Sequence, residues 1–259
     1  RAVNLGQRFE LGKSVAVIGA GNVAIDVART AVRLGAEEVT IVYRRGRDEM
    51  PAADDEVLEA EEEGVKFRFL AAPVEILGGE KAEALKVEVM ELGEADENGR
   101  RKPVGTGVFE EIPVSAVISA IGQKIVLGGI GEFKTGKGGI VVVDPLSRQS
   151  SVADVFAGGD VVTGPKFAID AIAAGKEAAI SIHRHVHPGQ TQTNGRDPRD
   201  YKPLDVKTVS VSAGSFDTAP RQKAAGGSAA EAKKTFEDLR GVLTEEQIKK
   251  EADRCLGCG

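Results

Sequence analysis

Tryptophan is absent from this 259-residue chain, and aromatic residues make up only 4% of it. That removes the stacking platforms on which single-stranded nucleic acids are held. Positive charge is not in excess either: 34 Lys and Arg stand against 40 Asp and Glu, a formal net charge of -6. No basic surface dominates, which argues against a nucleic-acid partner. No apolar run approaches the roughly 20 residues that span a bilayer, so no membrane association is expected. No secretory signal pattern is present. Cysteine is scarce, with only Cys255 and Cys258 at the very end. Two such residues make no disulfide framework, so a cytoplasmic, reducing location is the expectation. Residue 1 is Arg, and Cys255 to Gly259 reads as the opening of a motif. The sequence is therefore expected to be a piece of a longer polypeptide.

Glycine, by contrast, is abundant, at 32 residues. Its placement punctuates an α/β pattern. Ser14 to Ile18 is a short apolar run suited to a strand buried on both faces. The turn Gly19 to Ala24 follows, then a helix from Ile25 to Leu34 stopped by Gly35. Val39 to Tyr43 is the next strand, completing a right-handed parallel crossover unit. An acidic helix, Ala53 to Glu63, ends at Gly64, and its Glu59–Glu63 stretch reads as a solvated face. Val65 to Phe69, Leu85 to Val89 and Val108 to Ile112 have strand character, and Asn98-Gly99 is a hairpin signal. They predict an antiparallel meander inserted into the parallel unit, which Val114 to Ala120 then rejoins. Ile140 to Val143 and Asp154 to Ala157 read as short strands, and Lys166 to His183 as a helix. Residues 188–235 are rich in Pro, Gly, Ser, Thr and Lys and read as extended linker. Thr244 to Gln247 has capping-box form and starts a last helix.

The turn Gly19-Ala20-Gly21 has the context of a dinucleotide site, with a strand before it and a helix and strand after. Gly19 permits the tight turn, and Gly21 presents no side chain to a pyrophosphate. The N–H groups of Asn22 and Val23 lie where the helix dipole favours an anion. Ala24 stands where the third glycine of the pattern falls. About twenty residues on, where an acid would bind ribose hydroxyls, the chain has Tyr43-Arg44-Arg45. A guanidinium suits a 2′-phosphate, so NADP(H) is favoured over NAD(H), with Arg44 and Arg45 as the clamp and Arg47 as a third candidate.

These residues carry a family resemblance. VAVIGAGNVAIDVART (Val15–Thr30), YRRGRDEMPA (Tyr43–Ala52), AIGQ (Ala120–Gln123), DVFAGGDVVTGP (Asp154–Pro165), AIAAGKEAA (Ala171–Ala179) and EADRCLGCG (Glu251–Gly259) resemble the small subunit of glutamate synthase and its relatives. The relatives include the larger subunit of electron-bifurcating ferredoxin:NADP oxidoreductases. The resemblance covers residues 1–187 and the last twenty. It implies a Rossmann-like three-layer NADP-binding domain with an inserted antiparallel meander, plus the C-terminal half of a split FAD-binding domain. The implied segments are a connector at 1–12, the NADP domain at 13–125, the FAD half at 126–187, the linker at 188–243, and a helix leading into an incomplete iron–sulfur motif at 244–259. Gly159 and Asp160 would lie at FAD, with Asp160 accepting from a ribityl hydroxyl. The backbone of Phe167, Ala168 and Ile169 would face the flavin pyrimidine edge, where a helix N-terminus stabilises a reduced anionic flavin. Ala120, Ile121 and Gly122 would form the loop between the two nucleotides. The family's first glycine motif, for the ADP half of FAD, is absent from this sequence.

Cys255-x-x-Cys258 alone fits a zinc ribbon, a redox pair or iron–sulfur ligation. The resemblance favours ligands of a 4Fe-4S cluster in an intact protein, with thiolates from elsewhere. His183, His185 and His187 read as a cationic helix end rather than a metal site. The implied function is an NADPH-binding electron-input module, passing hydride to FAD and electrons onward to iron–sulfur centres or a redox partner subunit. The alternatives are a stand-alone NAD(P)-dependent dehydrogenase and a non-catalytic nucleotide-sensing domain. No catalytic side chain is expected, because hydride transfer needs orientation rather than an acid or base.

Overall fold

The computed structural model describes residues 2–7, 9–95, 101–129, 132–189 and 219–255. They form two compact units, one running to Ile121 and including the described residues from Ala219 on, the other beginning at Gly122. The first unit is built on β1 (Ser14–Ile18), α1 (Asn22–Arg33), β2 (Glu38–Tyr43), α2 (Asp54–Glu62) and β3 (Lys66–Phe69). A meander of β4 (Ala71–Gly78), β5 (Ala82–Ala95) and β6 (Arg101–Pro113) follows, and β7 (Ala116–Ser119) closes the unit. The parallel sheet has the order β3-β2-β1-β7, and the antiparallel sheet the order β4-β5-β6.

Side chains alternate across a strand, so each face of the parallel sheet takes every second residue. Val15, Val17, Val39 and Ile41 face a core completed by Ala24, Ile25, Ala28 and Ala31 of α1 and Val57 and Ala60 of α2. Ala16 and Val42 face the other way, against Ala71, Leu85, Val87 and Val114 of the meander. The result is the expected three layers of helices, parallel sheet and meander. The meander replaces the crossover helix that usually joins parallel strands. The alanines of α1 let the helix lie close on β1 and β2.

β4 was not legible in the sequence. It is an edge strand whose Val74 and Ile76 are exposed and whose Pro73 forgoes a ladder bond, which an edge tolerates. β5 and β6 run well beyond the two short segments read from the sequence.

In the second unit, the strands expected at Ile140–Val143 and Asp154–Ala157 are single bridges only: Thr135 with Val141, Val143 with Ser150, and Gln149 with Phe156. A strand needs pairing along its length, and each segment here meets its partner at isolated positions. A short helix, α3 (Asp160–Thr163), precedes α4 (Ala168–Val186). The sole buried residue of α4 is Ala174. A Cβ on Gly158 would stand 2.8 Å from Ala174 Cβ, so glycine there allows the helix to pack.

Residues 219–243, expected as linker, instead carry α5 (Ala229–Ala232), capped by Ser228, and a bridge between Gly226 and Arg240. Local capping and hydrogen bonds to α1 order this stretch where composition suggested none. Arg33 Nε donates to the Thr235 carbonyl at 2.9 Å. α6 (Glu245–Asp253) starts at Thr244 as expected, with the Thr244 side chain accepting from Gln247 N–H. Gln247 Nε2 donates to the Lys223 carbonyl at 2.9 Å, tying α6 to the start of the 219–243 stretch. No helix among the described residues is long and apolar enough to cross a membrane.

Candidate functional site: a glycine turn faced by an arginine loop

β1 and β2 run in register through Ile18 and Val42. Beyond that pair, at the carboxyl edge of the sheet, the chain makes the glycine turn on one side and the arginine loop on the other. Gly19 N–H donates to the Val42 carbonyl at 3.1 Å. Gly19 has φ +126°, and a Cβ there would lie 3.0 Å from the Ala120 carbonyl carbon and closer still to its oxygen. This glycine is required by the fold. Gly21 is different. Its φ is -87°, and a Cβ there would meet only Pro51 Cγ, at 3.8 Å. Packing places no demand for glycine at this position.

Gly21 is the N-cap of α1. The first helical N–H groups have no intrahelical acceptor. Ala24 and Ile25 N–H turn back to the Gly21 carbonyl, whereas those of Asn22 and Val23 find no acceptor among the described residues. Asn22 Oδ1 accepts from Ala53 N–H at 3.1 Å, and Ala20 O from Ala52 N–H at 3.2 Å. The segment after the arginines thus folds back onto the glycine turn.

Arg44 is exposed and makes no hydrogen bond or ion pair among the described residues. Arg45 is half-buried, and its Nε is buried without a partner. A buried donor left unmade costs about 1–3 kcal/mol. Arg47 is already engaged by Glu61, at 2.5 Å, and is set apart from the other two. The Tyr43 hydroxyl donates to the Glu49 carbonyl at 2.8 Å. Glu49 and its partner Arg101 had no role in the sequence reading. Gly46-x-x-Glu49 has the spacing of a capped turn, but Arg101 lies on β6 with no local signal.

Ala120 N–H donates to the Ile18 carbonyl, which fixes the turn ahead of Ile121. Ile121 is exposed, and Gly122 has φ +104° with nothing near it. In the second unit, Gly159 has φ +71° and ends against Ala171. Asp160 Oδ1 accepts from Lys166 N–H at 3.2 Å, and Phe167 N–H donates to Asp170 Oδ2. Ala168 and Ile169 N–H have no acceptor among the described residues. Phe167 is 72% exposed beside them. His185 Nε2 lies 2.9 Å from Asp154 Oδ1, because the 149–157 loop turns back to the end of α4. Cys255 is exposed, and Cys258 lies outside the described residues.

The other end of α1 carries a buried charge cluster. Glu63, expected on a solvated face, is 3% exposed. Arg29 reaches its Oε1 at 2.6 Å and Arg33 its Oε2 at 2.8 Å. Burial pushes the Glu63 carboxyl up, but the hydrogen bonds and charges of Arg29 and Arg33 outweigh it and hold it below the ordinary glutamate value. The chain turns inward after α2, which is why the last glutamate of an acidic run is enclosed.

Residues 2–175 match the pyridine nucleotide-disulphide oxidoreductase family. The chain is 40% identical over 254 residues to the NADP(+)-dependent formate dehydrogenase subunit beta of Moorella thermoacetica, covering 95% of this chain and 36% of that protein. It is 38% identical to the glutamate synthase [NADPH] small chain of Halomonas elongata, over 66% of this chain and 38% of that one. The expected resemblance to glutamate synthase small subunits therefore holds. The chain spans less than half the length of these curated relatives. Among solved structures, FprA of Mycobacterium tuberculosis in complex with NADPH superposes with a TM-score of 0.57 at 21% identity, covering 68% of this chain and 53% of that one, a likeness of fold. The parallel sheet, its glycine turn and the match over 2–175 agree: the chain belongs to the pyridine nucleotide-disulphide oxidoreductase family.

Proposed function

We propose that the chain is the NADP(H)-binding, electron-input module of a flavin-dependent oxidoreductase. The observation that carries this reading is the pair of arginines without a protein partner among the described residues, the exposed Arg44 side chain and the Nε of Arg45, in the loop just past β2 and beside a glycine that packing does not require. Asn22 and Val23 N–H would hold the pyrophosphate, Gly21 would let it approach, and Arg44 and Arg45 would bind the 2′-phosphate. NADPH, when bound, supplies a hydride from nicotinamide C4. The protein's own part is to orient it through the Ala120-Ile121-Gly122 turn.

For FAD, the described residues offer one side of a site: Asp160, whose Oδ2 accepts no hydrogen bond among the described residues, and the Ala168 and Ile169 N–H groups at the α4 N-terminus. They fit the ribityl and pyrimidine edges but supply nothing for the ADP half. The domain reading follows, with 13–125 for NADP(H) and 126–187 for half of a flavin domain. A 4Fe-4S cluster takes four thiolates and this chain holds two, so Cys255 and Cys258 do not make one by themselves. The relatives are named as subunits or small chains. A redox partner subunit is accordingly part of the proposal.

Isothermal calorimetry with NADPH and NADH tests the nucleotide reading. NADPH is expected to bind at least tenfold more tightly. Arg44→Ala and Arg45→Ala should each weaken NADPH by about tenfold, ~1.4 kcal/mol, and leave NADH unchanged. Equal affinity of the wild-type protein for both nucleotides would remove the clamp.

A further inference from the structure

The arginine loop is closed by one acidic residue. Glu49 accepts from Gly46 N–H through Oε2 at 3.0 Å and from Arg101 Nε through Oε1 at 2.7 Å, with Arg101 Nη2 on the same oxygen. Its own carbonyl takes the Tyr43 hydroxyl. Its side chain is only 11% exposed. A Cβ on Gly46 would stand 2.7 Å from Glu49 Oε2, so glycine at 46 lets the carboxylate reach the backbone. Glu49 therefore grips the chain at Tyr43 and at Gly46, on either side of Arg44 and Arg45. A third tie comes from Leu70 N–H to the Arg45 carbonyl at 3.0 Å.

A carboxylate is an odd occupant for a loop that is to receive a phosphate, since like charges repel. Arg101 resolves this. It reaches in from β6 and pairs with the carboxylate, leaving Glu49 as a backbone clamp with little net charge.

We propose that Glu49, neutralised by Arg101, is a positioning residue for nucleotide discrimination: it fixes the Tyr43–Gly46 backbone so that Arg44 and Arg45 meet the 2′-phosphate pre-organised. The inference rests on the clamp reading above. Pre-organisation raises affinity by removing the ordering cost at binding, and here that gain falls only on ligands with the 2′-phosphate.

The test uses the full chain and two probes that differ by that phosphate alone, 2′,5′-ADP and 5′-AMP, titrated by calorimetry. Glu49→Ala is expected to cut the 2′,5′-ADP to 5′-AMP affinity ratio about tenfold with 5′-AMP unchanged. Glu49→Gln keeps an acceptor for Gly46 N–H and should hold the ratio within about threefold. Arg101→Ala, which leaves the carboxylate uncancelled, should lose about tenfold, and Glu49→Gln/Arg101→Ala should recover most of that loss. These last two variants decide the matter even where Glu49→Ala fails to fold. The inference is overturned by an unchanged ratio in Glu49→Ala, by a parallel fall for both probes, or by no recovery in the double variant. A wild-type ratio near one would instead strike down the arginine clamp, and this inference with it.

Discussion

Glu63→Ala is expected to lower the unfolding free energy by about 3–5 kcal/mol, read from urea or guanidinium midpoints. The carboxylate is enclosed, and its removal leaves the guanidinium groups of Arg29 and Arg33, with side chains 21% and 13% exposed, with no anion but the more exposed Glu59, which pairs with Arg29 alone at 2.8 Å. Breaking such a cluster by taking one partner away costs more than the cluster contributed, because the remaining charges stay desolvated. Arg33 also holds the Thr235 carbonyl. The variant should therefore become more susceptible to limited proteolysis between 219 and 243 before the rest of the first unit is cut. A loss under about 1 kcal/mol would mean that water replaces the carboxylate at little cost.

The same carboxyl sets a pH dependence. Its pKa is lowered on folding, so the unfolded chain binds the proton more readily than the folded one. The stabilisation is complete above the unfolded value of about 4.3 and is lost as pH falls toward and through the folded value. The stability difference between the wild type and Glu63→Gln should be constant from pH 6 to neutrality and shrink below roughly pH 4. A difference that grew on acidification would contradict the assigned direction.

The second large effect separates two glycines two residues apart. Gly19→Ala meets both a left-handed φ and the Ala120 carbonyl, and should cost about 3 kcal/mol of stability. Gly21→Ala meets neither and should change stability by under about 1 kcal/mol. In the proposed complex its methyl group would crowd the pyrophosphate. NADPH affinity should fall about 100-fold, ~2.7 kcal/mol, in a protein with a native thermal midpoint. If Gly21→Ala binds NADPH like the wild type, the pyrophosphate is not held at this turn.

The β1–α1–β2 unit was legible because its determinants are local. Val15, Val17, Val39 and Ile41 alternate, and Ile25 and Ala28 recur at helical spacing. The meander was legible in β5 and in the last part of β6. Leu85 and Val87 are buried and announce β5, but β4 and the first part of β6 are edge segments whose Val74, Ile76 and Val104 point to solvent. Glu63 was misread because composition reports the charge of a run and not the turn that follows it. Arg33 and Thr235 meet across 202 residues, and Glu49 and Arg101 across 52, through side-chain bonds that leave no periodic trace. The glycine turn and the two arginines were legible as residue types. The separate roles of Gly19 and Gly21 were legible too; what the sequence withheld was the Ala120 carbonyl that leaves no room for a Cβ at Gly19.

The meander also bears on how quickly this unit forms. Ser14 and Ser115 are hydrogen-bonded partners 101 residues apart, so β1 waits for its second neighbour until the last strand of the parallel sheet has emerged. Closing a free loop of that length is slow, because the entropy of closure precedes any reward from contact. β4, β5 and β6, however, pair with sequence neighbours, and once zipped they carry the chain from Ala71 to Pro113 as a folded insert rather than a coil. The antiparallel layer is thus a kinetic shortcut: β7 is delivered to β1 by a preassembled arm, and a slow-folding parallel sheet is completed at the pace of local hairpins.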